Sequence, residues 1–420
     1  MKRNRIVAVT TVLLVSTFGL QPLALRAQGS LTPPGPPALS MKSLDQIEAR
    51  TAISSAPFTI TSPGSYYLTA NLNVTSGDAI DINTNGVTLD LNGFTISSTA
   101  NPAAGYGIQI SDTLMNVTVR NGFILSGVTN TGGVYSGNGF LIGVGNSGVC
   151  YNLRVSDVSV SGCLQGGINL NRHSTVVEFC TVNTVGSEGI YAETVSDSTA
   201  FNCGGRGISA QIANNCYGAS SGDKGLSAAT ANNCYGTSSS SSISTTTDGL
   251  SANVANNCYG YNSSLSGTGD GLSAATAINC YGLSFGGDGM DVVNANNCYG
   301  TSSGGNGVNA AYAAMNCYGT SSSGDGLYAT TALNCWGQSN SSYGLYAFRT
   351  AIGCYGQSGS NIGLYVYTGV AFGCFGYNTT TGSSVPALKV YVANGCYGQN
   401  GSGTSEFTGN TGTDQRYNMP

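Results

Sequence analysis

One phrase recurs through the second half of the chain and limits the fold more than any other feature. Gly207-Ile-Ser-Ala-Gln-Ile-Ala-Asn-Asn-Cys-Tyr-Gly218 returns as Gly225-Leu-Ser-Ala-Ala-Thr-Ala-Asn-Asn-Cys-Tyr-Gly236, and again over 249–260, 271–282 and 289–300. Looser copies begin at Gly307, Gly326, Gly344 and Gly363. Cys216, Cys234, Cys258, Cys280, Cys298, Cys317, Cys335, Cys354, Cys374 and Cys396 keep the count, 18 to 24 residues apart. Gly/Ser/Thr strings of variable length, such as 237–247, separate the copies. A unit of about 20 residues is too small to bury its own apolar face, so stacked neighbours must supply the core.

The first half carries the same grammar less strictly. Gly86-Val-Thr-Leu-Asp-Leu-Asn-Gly-Phe-Thr-Ile96 alternates apolar and polar residues as a strand does, and 117–124, 155–160 and 176–182 follow. A Leu/Asn pattern of the leucine-rich kind is missing, and the variable spacing argues against the strict six-residue period of a left-handed β-helix. Charged residues are only 8% and Gly is 62 of 420, while hydrophobic residues reach 40%. That balance opposes a disordered chain and a helical bundle. The expected fold is all-β, a right-handed parallel β-helix of roughly 17 coils, roughly 80 Å long at strand spacing.

The Leu-Asp-Leu-Asn-Gly-Phe-Thr-Ile core of 86–96 and the Val-x-x-Cys-x-Val units resemble bacterial right-handed β-helix proteins of the pectate-lyase-like superfamily. The block 41–96 is similar to secreted β-helix-repeat proteins without an assigned activity. The resemblance spans roughly 41–400 and implies architecture. Members include lyases, hydrolases, tailspikes, adhesins and non-catalytic surface proteins, so fold alone implies no activity.

The ends read differently. Lys2, Arg3 and Arg5, the apolar run Ile6–Leu20 and Ala27 predict a signal peptide over 1–27, and with it secretion, to the surface or periplasm of a bacterium. Its removal takes away four of the 14 basic residues and moves the formal charge from −5 to −9. Such a charge argues against nucleic acid as a partner, and no later apolar run is long enough to span a membrane. A Pro-rich linker is expected over 28–39, an N-terminal cap with a short amphipathic helix over 40–56, the β-helix over 57–400 and a polar tail over 401–420. Coils are expected to be irregular over 57–206 and regular over 207–400.

Within a regular coil Leu226, Ala228, Ala231 and Cys234 are expected inward and the residue after each Cys outward. One Cys per coil predicts a buried, reduced cysteine ladder, since parallel in-register Cβ atoms stay wider apart than a disulfide prefers. Paired Cys-x-x-Cys spacing for a metal is absent.

Three surface features are candidates for function. Tyr217, Tyr235, Tyr259, Tyr281, Tyr299, Tyr318, Trp336, Tyr355, Phe375 and Tyr397 share one repeat position. They predict an outward aromatic ladder that either stabilises the stack or offers a ribbon to an extended polysaccharide, a cell-surface glycan or a partner protein. Glu188, Arg206, Lys224, Asp248, Asp270, Asp288, Asn306 and Asp325 form a second file, read as solvated turn residues; calcium bridging Asp248, Asp270, Asp288 and Asp325 is the alternative and the one cofactor considered. Arg172 and the single His173 lie in a stretch four residues longer than the consensus, on an expected bulged loop. With Arg154, Asp157 and Glu178 in nearby coils they are the candidates for acid–base chemistry on a sugar. Three functions stay open: a non-catalytic, adhesin-like surface protein that binds glycan, a polysaccharide lyase or glycoside hydrolase with its site in the first-half coils, and a purely structural rod.

Overall fold

The computed structural model describes residues 49–240, 247–265, 268–381, 385–402, 407–409 and 415–417. The expected signal peptide, the linker and the helix of the cap lie outside the described residues. The chain from Arg50 onward is one unit, a parallel β-solenoid of about 17 turns with no helix among the described residues. Of its strands, 41 join one continuous sheet.

Each regular coil is built from two strands. Leu250–Asn256 alternates inward Leu250, Ala252 and Ala255 with outward positions, and the alternation breaks where Asn253 and Val254 both face out. The chain bends there, so one strand serves two faces. Two coils earlier, Ile208–Asn214 pairs along its first residues with Ile190–Tyr191 and along its last with Thr194–Ser196. Asn257, at a φ of 52°, then turns the corner, and Tyr259–Asn262 forms the third face. Pairing between coils is letter on letter: Leu250↔Leu272, Ala255↔Ala277, Tyr259↔Tyr281, Gly260↔Gly282.

Equal residues therefore form files along the solenoid. Leu226, Leu250, Leu272, Leu327 and Leu345 are fully buried, as are Ala231, Ala255 and Ala277. Burying such a leucine contributes about 1.5–3 kcal/mol. Ala228 is only partly buried and packs at the margin of the core. Larger side chains fill the first-half coils, among them Ile80, Ile82, Leu89, Ile108 and Phe140. The second-half cross-section is thin, and the short strand turns a glycine inward. A Cβ on Gly260 would stand 2.1 Å from the Gly271 carbonyl oxygen. Only glycine lets the two walls meet there.

A further inward file is polar. Ser284 Oγ donates to the Gly269 carbonyl at 2.9 Å and accepts the Gly287 N–H at 3.0 Å. Ser302 repeats both bonds at 2.6 and 2.9 Å. The buried hydroxyls thus satisfy the Gly/Ser turns, as buried polar groups must.

Parallel pairing also reaches both ends of the described chain. Thr51–Ile53 already pairs in parallel with the strand Gly64–Leu68, inside the stretch expected to cap the rod. Phe407–Gly409 and Gln415–Tyr417 pair with Leu388–Val390 and Val392–Asn394, so the polar tail continues the sheet through backbone pairing. A hairpin that no repeat predicts, Thr129–Thr131 with Val134–Ser136, leaves the solenoid. It is tied to later coils by the Tyr135 hydroxyl, 3.2 Å from both Asn202 Oδ1 and Ser221 Oγ.

Candidate functional site

The outward position after each cysteine carries an unbroken file of ten rings. Neighbouring centroids lie 5.1 Å apart from Tyr217 to Tyr235, then 4.7, 4.8, 4.9 and 4.8 Å on to Tyr318. The file continues through Trp336 to Tyr355, Phe375 and Tyr397 at 4.8 to 5.4 Å. Strand spacing sets this repeat. Rings such as Tyr299 and Tyr318, only 3° from parallel, lie face to face, so a tyrosine offers solvent its edge and hydroxyl more than its face. Burial in the stack, with Tyr235 and Tyr281 beside it, pushes the Tyr259 phenol up to about 12. The ladder therefore presents neutral hydrogen-bonding hydroxyls.

Behind the ladder runs the cysteine file. All fourteen cysteines are free and buried. Cys280 Sγ lies 3.3 Å from the Ala255 carbonyl of the previous coil and 3.1 Å from the Ile278 carbonyl of its own, and the same pair of acceptors serves Cys234, Cys258 and Cys298. Burial pushes the Cys163 and Cys203 thiols up to about 12, away from the reactive thiolate.

The acidic file is not the solvated column its residue types suggest. Asp248 is 2% exposed, and Lys224 Nζ meets its Oδ2 at 2.8 Å. Each side chain caps the turn of the next coil. Asp270 Oδ1 accepts the Asp288 N–H at 2.8 Å, Asp288 Oδ1 the Asn306 N–H at 2.6 Å, and Asn306 Oδ1 the Asp325 N–H at 2.8 Å. Burial first, then the charges of Asp248 and Asp288, push Asp270 up to about 8. Burial likewise raises Asp288 and Asp325. Among the described residues no group of three or more His, Cys, Asp or Glu side chains converges as ligands of a metal would; the file supplies carboxylates one per coil, each engaged with backbone. At its start Arg206 stands between Glu188 at 4.0 Å and Asp223 at 3.4 Å.

The five first-half candidates do not form one constellation. Arg154 and Glu178, on adjacent coils, form an ion pair with each other. Asp157 holds a corner at a φ of 54°. Arg172 and His173 do lie in the connection between Gly166–Asn169 and Val176–Glu178. Arg172 packs over the Tyr191 ring at 5.0 Å and donates to Ser209 Oγ at 2.9 Å, while its Nε is covered and unpartnered. His173 meets Tyr151 edge-on at 5.3 Å. Among the described residues no hydrogen bond or ion pair joins Arg172 or His173 to Arg154, Asp157 or Glu178.

A second aromatic group escaped the sequence reading. Tyr328 and Tyr346 stack at 5.2 Å, Tyr343 and Tyr365 pack on Tyr346, and Lys389 Nζ lies 5.2 Å from the centroid of the Tyr365 ring. Its signal was the residue after the repeat leucine. That position is Ser251 and Ser273 in earlier coils and becomes Tyr328, Tyr346 and Tyr365 later.

No family model matches the sequence, and no curated protein does. Among solved structures the chain is similar to the catalytic domain of a GH87 α-1,3-glucanase variant in complex with tetrasaccharides. The identity is 13%, the overlap covers 90% of this chain and 68% of that one, and the TM-score is 0.15. At that score the likeness assigns neither site nor activity; the parallel β-solenoid stands on the register of its own strands.

Proposed function

We propose that the protein is a secreted, non-catalytic surface protein, adhesin-like, that binds an extended polysaccharide along its aromatic ladder. The observation that carries this is the file of ten rings itself, outward and unbroken, on one side of the solenoid. Its repeat of about 5 Å follows from strand spacing and is of the same size as the rise per sugar of an extended pyranose chain. A glycan lying lengthwise would meet one hydroxyl edge per sugar. Many weak equal contacts then add as avidity. The acid–base candidates support no second reading, because Arg154 and Glu178 neutralise each other and Arg172 is held by Tyr191 and Ser209.

Affinity electrophoresis through gels carrying plant and algal polysaccharides tests the proposal, with released oligosaccharide measured in parallel. Retention without product is expected, and Tyr259→Ala with Tyr281→Ala should reduce it about tenfold or more. Unsaturated or shortened oligosaccharide would make the protein an enzyme instead. Retention unaltered in the double variant would remove the ladder from the account.

A further inference from the structure

The ladder has one irregular place. From Tyr217 to Tyr318 each ring lies against the next, but the Trp336 plane stands at 80° to Tyr318 and 82° to Tyr355. It leaves the common stacking plane there, and at 42% it is the most exposed residue of the file. Beside it opens a hollow of about 540 Å³ lined by Asn334, Cys335, Trp336, Gly353 and Tyr355.

The corner file changes from Asn to Gly at this coil, and stays Gly at 373 and 395. Asn257, Asn279, Asn297, Asn316 and Asn334 hold the corner at φ values of 52–53°. Their amides fill it, as where Asn297 Nδ2 donates to Asn279 Oδ1 at 3.3 Å. The next coil has Gly353 at a φ of 61° and no side chain. A Cβ there would meet only Asn334, its Oδ1 at 2.7 Å. The hollow thus joins an exposed indole to an amide that has lost its successor.

The rim is polar and uncharged. Gln338 and Gln357 lie two residues beyond Trp336 and Tyr355 on the same outward side of their strands. The Tyr355 hydroxyl donates to Gln357 Oε1 at 3.3 Å, which fixes that amide with its N–H groups left to donate. No cation lines the hollow, and the whole chain carries a formal charge of −5, so a polyuronate would meet no counter-charge.

We infer that this hollow is the anchoring subsite of the ladder and takes one uncharged pyranose ring of a neutral polysaccharide, its C–H face on Trp336 and its hydroxyls bonded by Asn334, Gln338 and Gln357. An aromatic platform with a few convergent polar groups is the usual chemistry of such a site. The inference rests on the glycan-binding reading and names its sugar class.

The chain has a single tryptophan, so its emission reports this place alone. The full chain is titrated with cellohexaose, laminarihexaose, maltohexaose, xylohexaose and mannohexaose, with hexagalacturonate as the charged comparator, by fluorescence and calorimetry. At least one neutral probe should change the emission saturably and bind about tenfold or more tightly than hexagalacturonate. Gly353→Asn places a residue that the corner already accepts at Asn334, so it should fold with an unchanged melting temperature and weaken binding about tenfold or more. Heat of binding without an emission change, and indifferent to Gly353→Asn, would put the sugar elsewhere on the ladder and overturn the subsite alone. Retention on polysaccharide gels with no response to any hexasaccharide would overturn it likewise. Tighter binding of hexagalacturonate would overturn the sugar class. No heat, no emission change and no retention on gels would overturn the glycan-binding reading as well.

Discussion

At Asp270 a carboxyl group is held between Asp248 and Asp288 while its Oδ1 accepts the Asp288 N–H. Its folded value, about 8, lies above the 3.8 of the free side chain. A group raised on folding favours the native state fully below its unfolded value, and that stability is lost as pH rises through the folded value. Thermal midpoints should therefore fall between about pH 4 and pH 8. Asn306 occupies the same file and makes the same bond to the next coil. Asp270→Asn should accordingly keep the turn, flatten that fall and raise stability at pH 8 by about 1–2 kcal/mol, read by calorimetric melts. A midpoint that falls as steeply in the variant as in the wild type would contradict the account. Gly260→Ala is the opposite case. Its added methyl meets the Gly271 backbone rather than a movable side chain, so a loss of about 3 kcal/mol is expected in urea unfolding. The half-burial of Asp270 was not legible from its residue type, because the Gly287 that lies against it belongs to the next coil.

At the scale of the strand, the Gly-to-Cys phrase was legible because every letter has one duty. Leu250, Ala255 and Cys258 face in and Tyr259 faces out. The bend at Asn253 and the inward Gly260 left no separate mark, since both depend on how close the opposite wall comes. The hairpin Thr129–Ser136 was equally silent: it carries no repeat letters, and Tyr135 finds Asn202 and Ser221 only after the coils have stacked. The cysteine file yields the prediction of this scale. Cys258, Cys280 and Cys298 are each 3% exposed, and thiols so buried are poor nucleophiles. An aromatic disulfide reagent should find almost no reactive thiol in the native protein and all fourteen in denaturant. Rapid reaction of several thiols in the folded chain would contradict the packing described.

At the scale of the molecule the solenoid is close to one-dimensional, each coil touching its neighbours. This is why architecture could be read from letters at a fixed spacing while a site could not: of the residues near in sequence rank, Arg154 and Glu178 pair with each other, Arg172 goes to Tyr191 and Ser209, and His173 to Tyr151. The ladder was the exception, because a surface made of one repeated position is spelled out directly. The corner file changes from Asn to Gly at Gly353, Gly373 and Gly395, but the hollow beside the first of them shows only once Trp336 stands turned out of the stack. All of this depends on equal letters standing in contact down one side. Light-driven oxidative coupling of tyrosines, followed by mass spectrometric mapping, measures that contact. Dityrosine is expected within single chains at Tyr217–Tyr235, Tyr235–Tyr259, Tyr259–Tyr281, Tyr281–Tyr299 and Tyr299–Tyr318, and none between Tyr318 and Tyr355, which Trp336 keeps apart. Links that skip coils, or none within the chain, would contradict it.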